Sequence, residues 1–454
     1  MDQLQTQHFY KTLFAIAVPI AIQSLITNLL NAIDVFMISS LGTASTGGVG
    51  MANKIFFLLN LFLFGTNSGA AILASQYWGI ADKSSIKKVL GVSLMIGVGG
   101  SVVFTLGAIL IPETLISILA PGQVGMISEG SKFLRIIGIS YLFTAVTFSY
   151  SFILRTTHNA VVPMVITGIA IVVNTFLNWV LIFGKLGAPV MGVEGSALAT
   201  VIARIFECVV LIIVVYRLDL AVAGKFSELF KVSFDFVKHY FKTVIFVILN
   251  EMIWSIGVVG YSLVYGRMGE VATASITITQ TIEQLAFVVF FGLSNACGVM
   301  LGNLLGANEL KKALSYSKKI LWIVTGAAVV VGASVLLSAG PIAHLFNVEF
   351  IVQKNVINCL IVFALYMPLK MLNMVIIVGV LRSGGDTISS LLIDLIGVWV
   401  VGIPMAILGG LILKLDIHYV YALVMLEEVV KLVLSLLRYY SKKWVKNIVQ
   451  ESPA

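Results

Sequence analysis

Charged residues are scarce in this sequence. Asp, Glu, Lys and Arg make up 11% of its 454 residues, whereas hydrophobic residues make up 59%. A soluble domain needs about a quarter of its residues charged to cover its surface. The composition therefore excludes an ordinary soluble protein, and lipid is expected to be the solvent for much of the chain.

Cysteine and histidine are also rare, and they are scattered. The three cysteines, Cys208, Cys297 and Cys359, each stand alone inside an apolar run. Without a CxxC pattern or a Cys–His pairing, neither a zinc site nor a disulfide framework is expected, and the cysteines should be buried hydrophobic residues. No HExxH, DDxxD or GxSxG motif is present, so no catalytic residue is expected, and a membrane-embedded enzyme is not indicated. A repeated filter loop, which a channel would need, is not visible either.

Long apolar runs are what the sequence has instead. A helix needs about 20 apolar residues to cross a bilayer. Twelve runs near that length lie at 13–38, 50–74, 89–111, 133–153, 163–184, 196–216, 243–265, 275–301, 320–340, 356–380, 388–412 and 419–438. Because lipid offers the backbone no hydrogen-bond partners, these runs should be helices. The sequence predicts an all-α polytopic membrane protein with about twelve transmembrane helices.

The basic residues are distributed unequally between the two sides of these helices. If the N-terminus is inside, cytoplasmic segments hold 19 of the 29 Lys and Arg residues. The outer loops hold four, which are Lys185, Arg267, Lys354 and Lys414. By the positive-inside rule, both termini are expected to be cytoplasmic. The formal net charge of +8 is thereby explained by membrane orientation, and no nucleic-acid partner is expected.

The two halves of the chain resemble each other at a constant offset of 227 residues. Leu154-Arg155-Thr156 matches Leu381-Arg382-Ser383, and Phe64-Gly65 matches Phe291-Gly292. Six helices per half give both halves the same topology, so they should form two six-helix bundles related by a parallel pseudo-two-fold axis. Two such lobes can enclose a central cleft that alternates, which favours a transporter over a duplication without transport.

These observations divide the chain into an N-terminal lobe, a linker and a C-terminal lobe. We expect the lobes at 1–216 and 243–454 and the linker at 217–242. Apolar residues recur at helical spacing in the linker, from Phe226 to Phe241, with charged residues off that face. This pattern predicts one amphipathic helix lying on the inner membrane surface as a tether between the lobes.

Short motifs follow one another in a fixed order along the chain. In the first half they are Ala17-Val18-Pro19, Asp34, Leu41-Gly42, Phe64-Gly65, Ala74-Ser75-Gln76-Tyr77-Trp78-Gly79 and Leu154-Arg155. In the second half they are Leu304-Leu305-Gly306-Ala307 and Leu381-Arg382-Ser383-Gly384-Gly385-Asp386. This set resembles the multidrug and toxic compound extrusion (MATE) family over essentially the whole chain. The resemblance implies a central cavity and efflux of cationic or amphipathic compounds, driven by proton or sodium antiport.

Polar residues in the first half suggest an ion site. Asp34 lies in the outer part of the first helix, where a charge is costly. Asn31 shares a face with it, and Asn174 and Asn178 share a face of the fifth helix. A carboxylate with carboxamide oxygens suits a sodium ion or a transferable proton. The resemblance implies an acid at the Asp34 position with polar groups on the fifth helix, although some members carry a second acid where Asn178 stands. The alternative for Asp34 is a helix–helix hydrogen bond, and the asparagines could equally join helices.

Further polar residues are candidates for a substrate cavity. Those in the spans are Gln23, Asn28, Glu251, Gln280, Glu283, Gln284, Lys370 and Asp394. Lys370 is expected to pair with Glu251 or Glu283, either structurally or between cation-binding states. Asp394 is read as a cavity acid or an interfacial residue. Arg204 with Glu207, and Lys431 with Glu427 and Glu428, have the spacing of local ion pairs.

The expected function is secondary-active multidrug antiport by alternating access. The partners expected are small organic molecules, a proton or sodium, and the bilayer of the cell membrane, with the protein acting as a monomer. No cofactor is expected beyond a sodium ion at Asp34. The alternative is a flippase or exporter of a lipid-linked or other amphipathic metabolite with a related fold, which a wide and strongly cationic cavity would favour.

Overall fold

The protein is almost entirely helical in a computed structural model. The structure describes the backbone of residues 2–346 and 348–450, and the side chains in these ranges except those of residues 2–6, 31 and 32. No β-strand occurs within these ranges. Because α-helices satisfy their own backbone hydrogen bonds, this is the architecture that apolar runs of membrane length require.

Within the described residues, the first half of the chain contains nine α-helices of very different lengths. They are α1 Asp2–Ser39, α2 Thr43–Gly79, α3 Lys83–Leu110, α4 Pro112–Leu119, α5 Val124–Ile137, α6 Ser140–Thr156, α7 Val161–Phe183, α8 Gly192–Arg217 and α9 Phe226–Phe230. A short 3₁₀ turn, Lys185–Gly187, lies between α7 and α8. Glycine residues with positive φ, such as Gly42 at the start of α2, allow the tight connections between them.

The second half contains eight further α-helices in the part that the structure describes. They are α10 Phe234–Arg267, α11 Glu270–Gly306, α12 Leu310–His344, α13 Phe350–Met374, α14 Thr387–Leu395, α15 Ile403–Ile407, α16 Ile417–Val424 and α17 Leu426–Tyr440. The described part of this half also contains three π-helical segments. Val375–Leu381 continues α13, Ile396–Gly402 joins α14 to α15, and Leu408–Ile412 follows α15. Such segments displace the backbone register and are frequent at functional sites.

Ten of these helical segments are long and apolar enough to cross a membrane. The pair α5 and α6, bent by 52°, makes an eleventh span and corresponds to the predicted run 133–153. The predicted run 419–438 is divided between α16 and α17 at Met425, so neither part alone has the length of a span. Large apolar side chains lie on the outside of several spans, with Phe36, Trp322 and Leu337 exposed by 78, 77 and 83%. In a bilayer this exposure is favourable, whereas in water it would promote association.

The chain forms two compact units. One is Ile22–Phe241, and the other combines Met1–Ala21 with Lys242–Ala454. The N-terminal part of α1 belongs to the second of these, where the ring of Phe9 packs edge-on against Tyr316 at a centroid distance of 4.7 Å. The Nζ atom of Lys319 lies 5.7 Å from the centroid of the same ring. The domain boundaries expected from the sequence, 1–216, 217–242 and 243–454, differ from the limits of these units and stay a prediction.

Matching hydrogen bonds occur in the two units at positions 227 residues apart. In the first unit the side-chain amide of Gln23 donates to the hydroxyl of Thr167 at 2.9 Å. In the second unit the side-chain amide of Asn250 donates to the carboxylate of Asp394 at 3.0 Å. Both bonds join residues separated by 144 positions. The repeat inferred from sequence motifs is therefore also a repeat of polar contacts between corresponding helices.

The linker is docked on its unit and is not one helix. α9 spans only Phe226–Phe230, and residues 231–233 are not helical. A local hydrogen bond explains why the helix is interrupted. The Ser233 hydroxyl accepts from the Phe236 N–H at 3.3 Å and caps the start of α10. The predicted single amphipathic helix across the linker is therefore wrong.

Close backbone packing holds α9 against α3. A Cβ added to Gly91 would lie 1.8 Å from the carbonyl oxygen of Leu229, so only glycine permits this approach. The Nζ of Lys87 also donates to Glu228 at 2.9 Å, and the Tyr216 hydroxyl donates to the Gly224 carbonyl at 2.6 Å. The first half of the linker is therefore attached at three points.

Candidate functional site

Asp34 is hydrogen-bonded to the polar face of α7. Buried residues of α7 recur at helical spacing, and this places Asn174 and Asn178 in the interior of the first unit. The amide of Asn178 donates to Asp34 Oδ1 at 2.6 Å and to Asn174 Oδ1 at 3.1 Å. The amide of Asn174 in turn donates to the hydroxyl of Thr200 on α8 at 3.2 Å. The structure thus brings together three residues that the sequence singled out and adds Thr200, which it did not.

The carbonyl oxygen of Asn178 has no hydrogen-bond donor in the described part of the chain. The Asn178 side chain is fully buried. A buried acceptor without a donor is costly, and a bound cation or a protonated neighbour would satisfy it. The Asn178 carbonyl oxygen is therefore a candidate ligand for an ion bound beside Asp34.

A cavity of about 310 Å³ opens beside this network. Its polar lining includes Asp34, Asn174, Thr200, Arg204 and Glu207, and its apolar lining comes from α1, α2, α5 and α7. A volume near 300 Å³ is at the lower end for small-molecule sites, and a mainly apolar wall with few polar groups is typical of them. The cavity lies wholly within the first unit.

A second polar chain runs along another wall of the same unit. Glu207, buried in α8, accepts from Arg204 Nη1 at 2.7 Å and from the Thr167 hydroxyl at 2.7 Å. Gln23 joins the chain to Arg155, whose Nη2 donates to Gln23 Oε1 at 2.9 Å. The predicted Arg204–Glu207 pair is present. Sequence reasoning missed its connection to Thr167 and Arg155, because residues on separate helices carry no spacing signal.

The charged side chains of this network are not equally paired. Glu207 has Arg204 as its ion-pair partner, whereas Asp34 has no basic group within 4.0 Å among the residues described. Arg155 is buried, and two of its three guanidinium nitrogens lack an acceptor in the same part of the chain. Of the two carboxylates that line the cavity, Asp34 is therefore the one without an ion-pair partner within 4.0 Å among the described residues.

The candidates of the second unit are largely paired with one another. Lys370 Nζ contacts Glu283 Oε2 at 2.9 Å, and the Tyr421 hydroxyl donates to the other oxygen of Glu283. Glu251 pairs instead with Arg382 at 2.9 Å. Of the two partners expected for Lys370, the structure therefore selects Glu283.

The remaining residues singled out by the sequence differ in their burial and in their contacts. Gln23 is the bridge between Arg155 and Thr167. Asn28 and Gln284 are exposed, and Gln280 is half-buried. The side chain of Asn31 lies outside the described residues. Cys208, Cys297 and Cys359 are buried and free, as expected.

The donor set at Asp34 fits a monovalent cation or a proton. It consists of one carboxylate, the carboxamide oxygens of Asn174 and Asn178, and the hydroxyl of Thr200. Sodium prefers oxygen ligands of this hard type, and a proton needs only the carboxylate. No group of three or more His, Cys, Asp or Glu side chains that could hold a metal ion occurs in the described ranges.

Comparisons with known proteins agree with this architecture. The chain is 23% identical over 454 residues to a probable multidrug resistance protein NorM of Thermotoga maritima, covering 97% of this chain and 94% of that protein. It is 24% identical to the uncharacterized transporter YisQ of Bacillus subtilis, covering 96 and 95% of the two chains.

Solved structures share the fold. A mutant of the Vibrio cholerae MATE transporter VcmN superposes with a TM-score of 0.88 at 18% identity, covering 98% of this chain and 99% of that chain. A MOP superfamily transporter from Pyrococcus furiosus gives 0.85 at 20% identity, covering 95% of each. This likeness confirms the predicted fold of twelve transmembrane helices in two six-helix bundles.

The family assignment rests on both halves of the chain. The MatE family model matches residues 19–180 and 244–408, so each repeat carries its own match. Members of this family are transporters and not enzymes. The resemblance seen in the sequence motifs is thereby confirmed, and this chain is a multi-pass membrane protein that belongs to the MatE family.

Proposed function

We propose that this protein is a secondary-active antiporter. It exports cationic or amphipathic small organic molecules by alternating access, and inward movement of a proton or sodium ion at Asp34 drives the export. Relatives described as probable multidrug resistance proteins support the substrate class. The basic residues of the predicted cytoplasmic loops support a cell-membrane location with both termini inside. The transport unit is a monomer, since each chain carries both repeats.

The observation that carries the proposal is the pattern of hydrogen bonds around Asp34. Its carboxylate has a single side-chain donor, Asn178, and the carbonyl oxygen of that donor is itself unsatisfied within the described residues. A charge inside a membrane span costs about 2.5–3.5 kcal/mol, so an ionised Asp34 needs a counter-ion. An ion taken from outside and an organic cation taken from inside are both able to supply it.

Competition for one carboxylate explains exchange. When the coupling ion neutralises Asp34, the remaining charges of the polar chain are Glu207, Arg204 and Arg155, with a net positive sign. A cationic substrate in the adjoining cavity is then repelled. Binding of ion and substrate becomes mutually exclusive, and this exclusion is the thermodynamic basis of antiport.

Transport in proteoliposomes tests the proposal. The purified protein is reconstituted, a fluorescent organic cation is supplied, and a proton gradient and a sodium gradient are imposed separately. We expect one gradient to drive uphill movement, and we expect Asp34→Asn to abolish it while the protein still inserts and elutes as a folded species. Asp219→Asn, which makes the same chemical change in an exposed turn, is the matched control and should transport normally.

Two results would contradict the assignment. Full coupled transport by Asp34→Asn would remove Asp34 from the coupling step. Movement of the compound with neither gradient would favour the flippase alternative, and lipid-linked substrates would then be tested in the same vesicles.

A further inference from the structure

A second cavity lies in the first unit, apart from Asp34. Its volume is about 660 Å³, and it shares no lining residue with the cavity beside Asp34. No carboxylate is among the described residues that line it, and its polar side chains are two tyrosines. We call it the α9 groove, and its walls include Met95 and Gly99 of α3, Tyr150 of α6, Tyr216 of α8, and Phe226 and Leu229 of α9.

The α9 groove is open to the surroundings of the protein along one side. Tyr150 and Leu229 form a buried floor, each with 4% exposure. At the edge, Phe226 is 78% exposed and Tyr216 is 46% exposed. A Cβ added to Gly99 would meet no atom within 4 Å, so space is left beside α3. A space of this size is far larger than a packing void, and a molecule can reach it from outside.

The wall that α9 contributes is fixed in place. The Tyr216 hydroxyl donates to the Gly224 carbonyl at 2.6 Å, just before α9 begins. The Nζ of Lys87 on α3 contacts Glu228 of α9 at 2.9 Å. Because these contacts hold the groove open without a ligand, binding does not have to order the segment first.

Three basic residues border the groove. Arg217, Lys225 and Lys231 are each the sequence neighbour of an aromatic residue that lines it. We call these three the basic rim. All are exposed, and none has an acid within 4.0 Å in the part of the chain that the structure describes. Residues 217–231 together with Lys87 contain four basic residues and two acids, so this surface has a formal net charge of +2.

The depth of the α9 groove corresponds to one leaflet of a bilayer. Tyr216 is the last residue of the predicted span 196–216, whereas Gly99 lies near the middle of the predicted span 89–111. One leaflet forms half of a hydrocarbon core about 30 Å thick, so the groove extends over the length of one lipid acyl chain. An apolar cavity does not hold water well, and an acyl chain suits its lining.

We propose that the α9 groove binds one anionic phospholipid. An acyl chain lies between α3, α8 and α9, and the basic rim binds the phosphate of the headgroup. Basic residues next to a membrane span attract anionic headgroups in this way. A cationic compound is disfavoured as the occupant, because the rim is positive and no carboxylate is among the described lining residues. This lipid site does not depend on the proposed antiport function.

Native mass spectrometry of the full chain tests recognition of the headgroup. The protein in detergent is titrated with phosphatidylglycerol or with phosphatidylcholine of the same acyl chains. We expect one phosphatidylglycerol to bind about tenfold more tightly than phosphatidylcholine. Changing all three residues of the basic rim to Gln should remove this difference. The matched control removes three exposed lysines of the second unit and should keep the difference, by Lys311→Gln, Lys318→Gln and Lys443→Gln.

Filling the groove tests where the acyl chain lies. Gly99→Leu places a side chain in the open space beside α3 and should weaken phosphatidylglycerol binding about tenfold, although the basic rim is intact. Gly50→Leu is the control, since Gly50 is exposed on α2 and an added Cβ would likewise meet no atom within 4 Å. If Gly99→Leu does not fold, Met95→Trp at an exposed position of the groove replaces it.

Four results would overturn the inference. The two lipids could bind equally, or the lysine control could lose as much selectivity as the rim variant. Binding could also be unchanged when the groove is filled. Finally, a fluorescent organic cation could displace phosphatidylglycerol one for one, which would make the groove a site for exported compounds. Because transport is not measured, failure of the lipid site leaves the role proposed for Asp34 unaffected.

Discussion

Asn178 and Asp34 are joined by a hydrogen bond of 2.6 Å, and Asn178 is the side chain through which α7 reaches the carboxylate of α1. The same amide also donates to Asn174 Oδ1, so the Asn178 side chain holds the carboxylate of Asp34 and the carbonyl oxygen of Asn174 near each other. The bond therefore links α7 to α1 at the carboxylate of Asp34.

Asn178→Ala should weaken coupling without preventing insertion. A hydrogen bond to a charged group contributes about 1.5–3 kcal/mol. We therefore expect the concentration of coupling ion at half-maximal transport to change by roughly tenfold or more. Asn60→Ala is the control, because Asn60 lines the same cavity but donates to the backbone of Phe56. An equal change in both variants would argue against a specific role for Asn178.

Arg204→Gln should destabilise the first unit. Glu207 is buried with 2% exposure, and Arg204 is its counter-ion at 2.7 Å. Removing one partner of a buried pair costs about 3–5 kcal/mol. We expect a clear fall in the thermal unfolding temperature in detergent, and recovery of much of it in the double variant Arg204→Gln with Glu207→Gln. The exposed pair Lys132–Glu129 provides the comparison, since Lys132→Gln should have almost no effect. Equal losses at the two sites would contradict the structural account.

Gly91→Ala should displace the short helix α9. The added methyl group would overlap the Leu229 carbonyl, and overpacking of this kind costs about 1–3 kcal/mol. The expected signature is faster tryptic cleavage at Lys225 and Lys231. Gly99→Ala on the same helix meets no atom within 4 Å and serves as the control. Unchanged cleavage in Gly91→Ala would show that α9 is not held by this approach.

Acidification should loosen the same attachment. The hydrogen bond from Lys87, followed by that from the Lys225 N–H, lowers the pKa of Glu228 below its usual value of 4.5. A lowered pKa in the folded protein means that the contact stabilises at higher pH and is lost as the pH falls below that value. We expect the amide protection factors of residues 225–231, taken relative to the intrinsic exchange rate at each pH, to fall in acid. Glu228→Gln should already show lower protection factors at neutral pH and lose little more in acid. A loss in acid as large as that of the unaltered protein would exclude Glu228 as the titrating group.

The sequence was sufficient for those features that depend on periodicity. Asn174 and Asn178 are four residues apart on one helix, so their common face is predictable. The 227-residue offset predicts the repeat itself, and the matching bonds of Gln23 and Asn250 are seen only in the structure. Lys431 with Glu427 and Arg204 with Glu207 were likewise visible as local spacings.

Features that depend on contacts between helices were not predictable in this way. The sequence allowed Lys370 either Glu251 or Glu283, and only the packing of α11 against α13 places Glu283 beside it. Arg382 was noted as a repeat marker, but not as the partner of Glu251. The break in the linker was missed because the helical periodicity of phenylalanines continues through Ser233, whose capping hydroxyl is the stronger local signal.

The docked linker has a consequence for expressing the protein as two fragments. The duplicated architecture invites such a split, and 217 would be a natural site because the repeat-like helices end there. Residues 217–230 nevertheless complete the surface of the first unit through Gly91 and Lys87. A fragment that stops at 217 would lack α9 and uncover α3 around Gly91, whereas a break between 231 and 233 keeps α9 with α3 and Ser233 with α10.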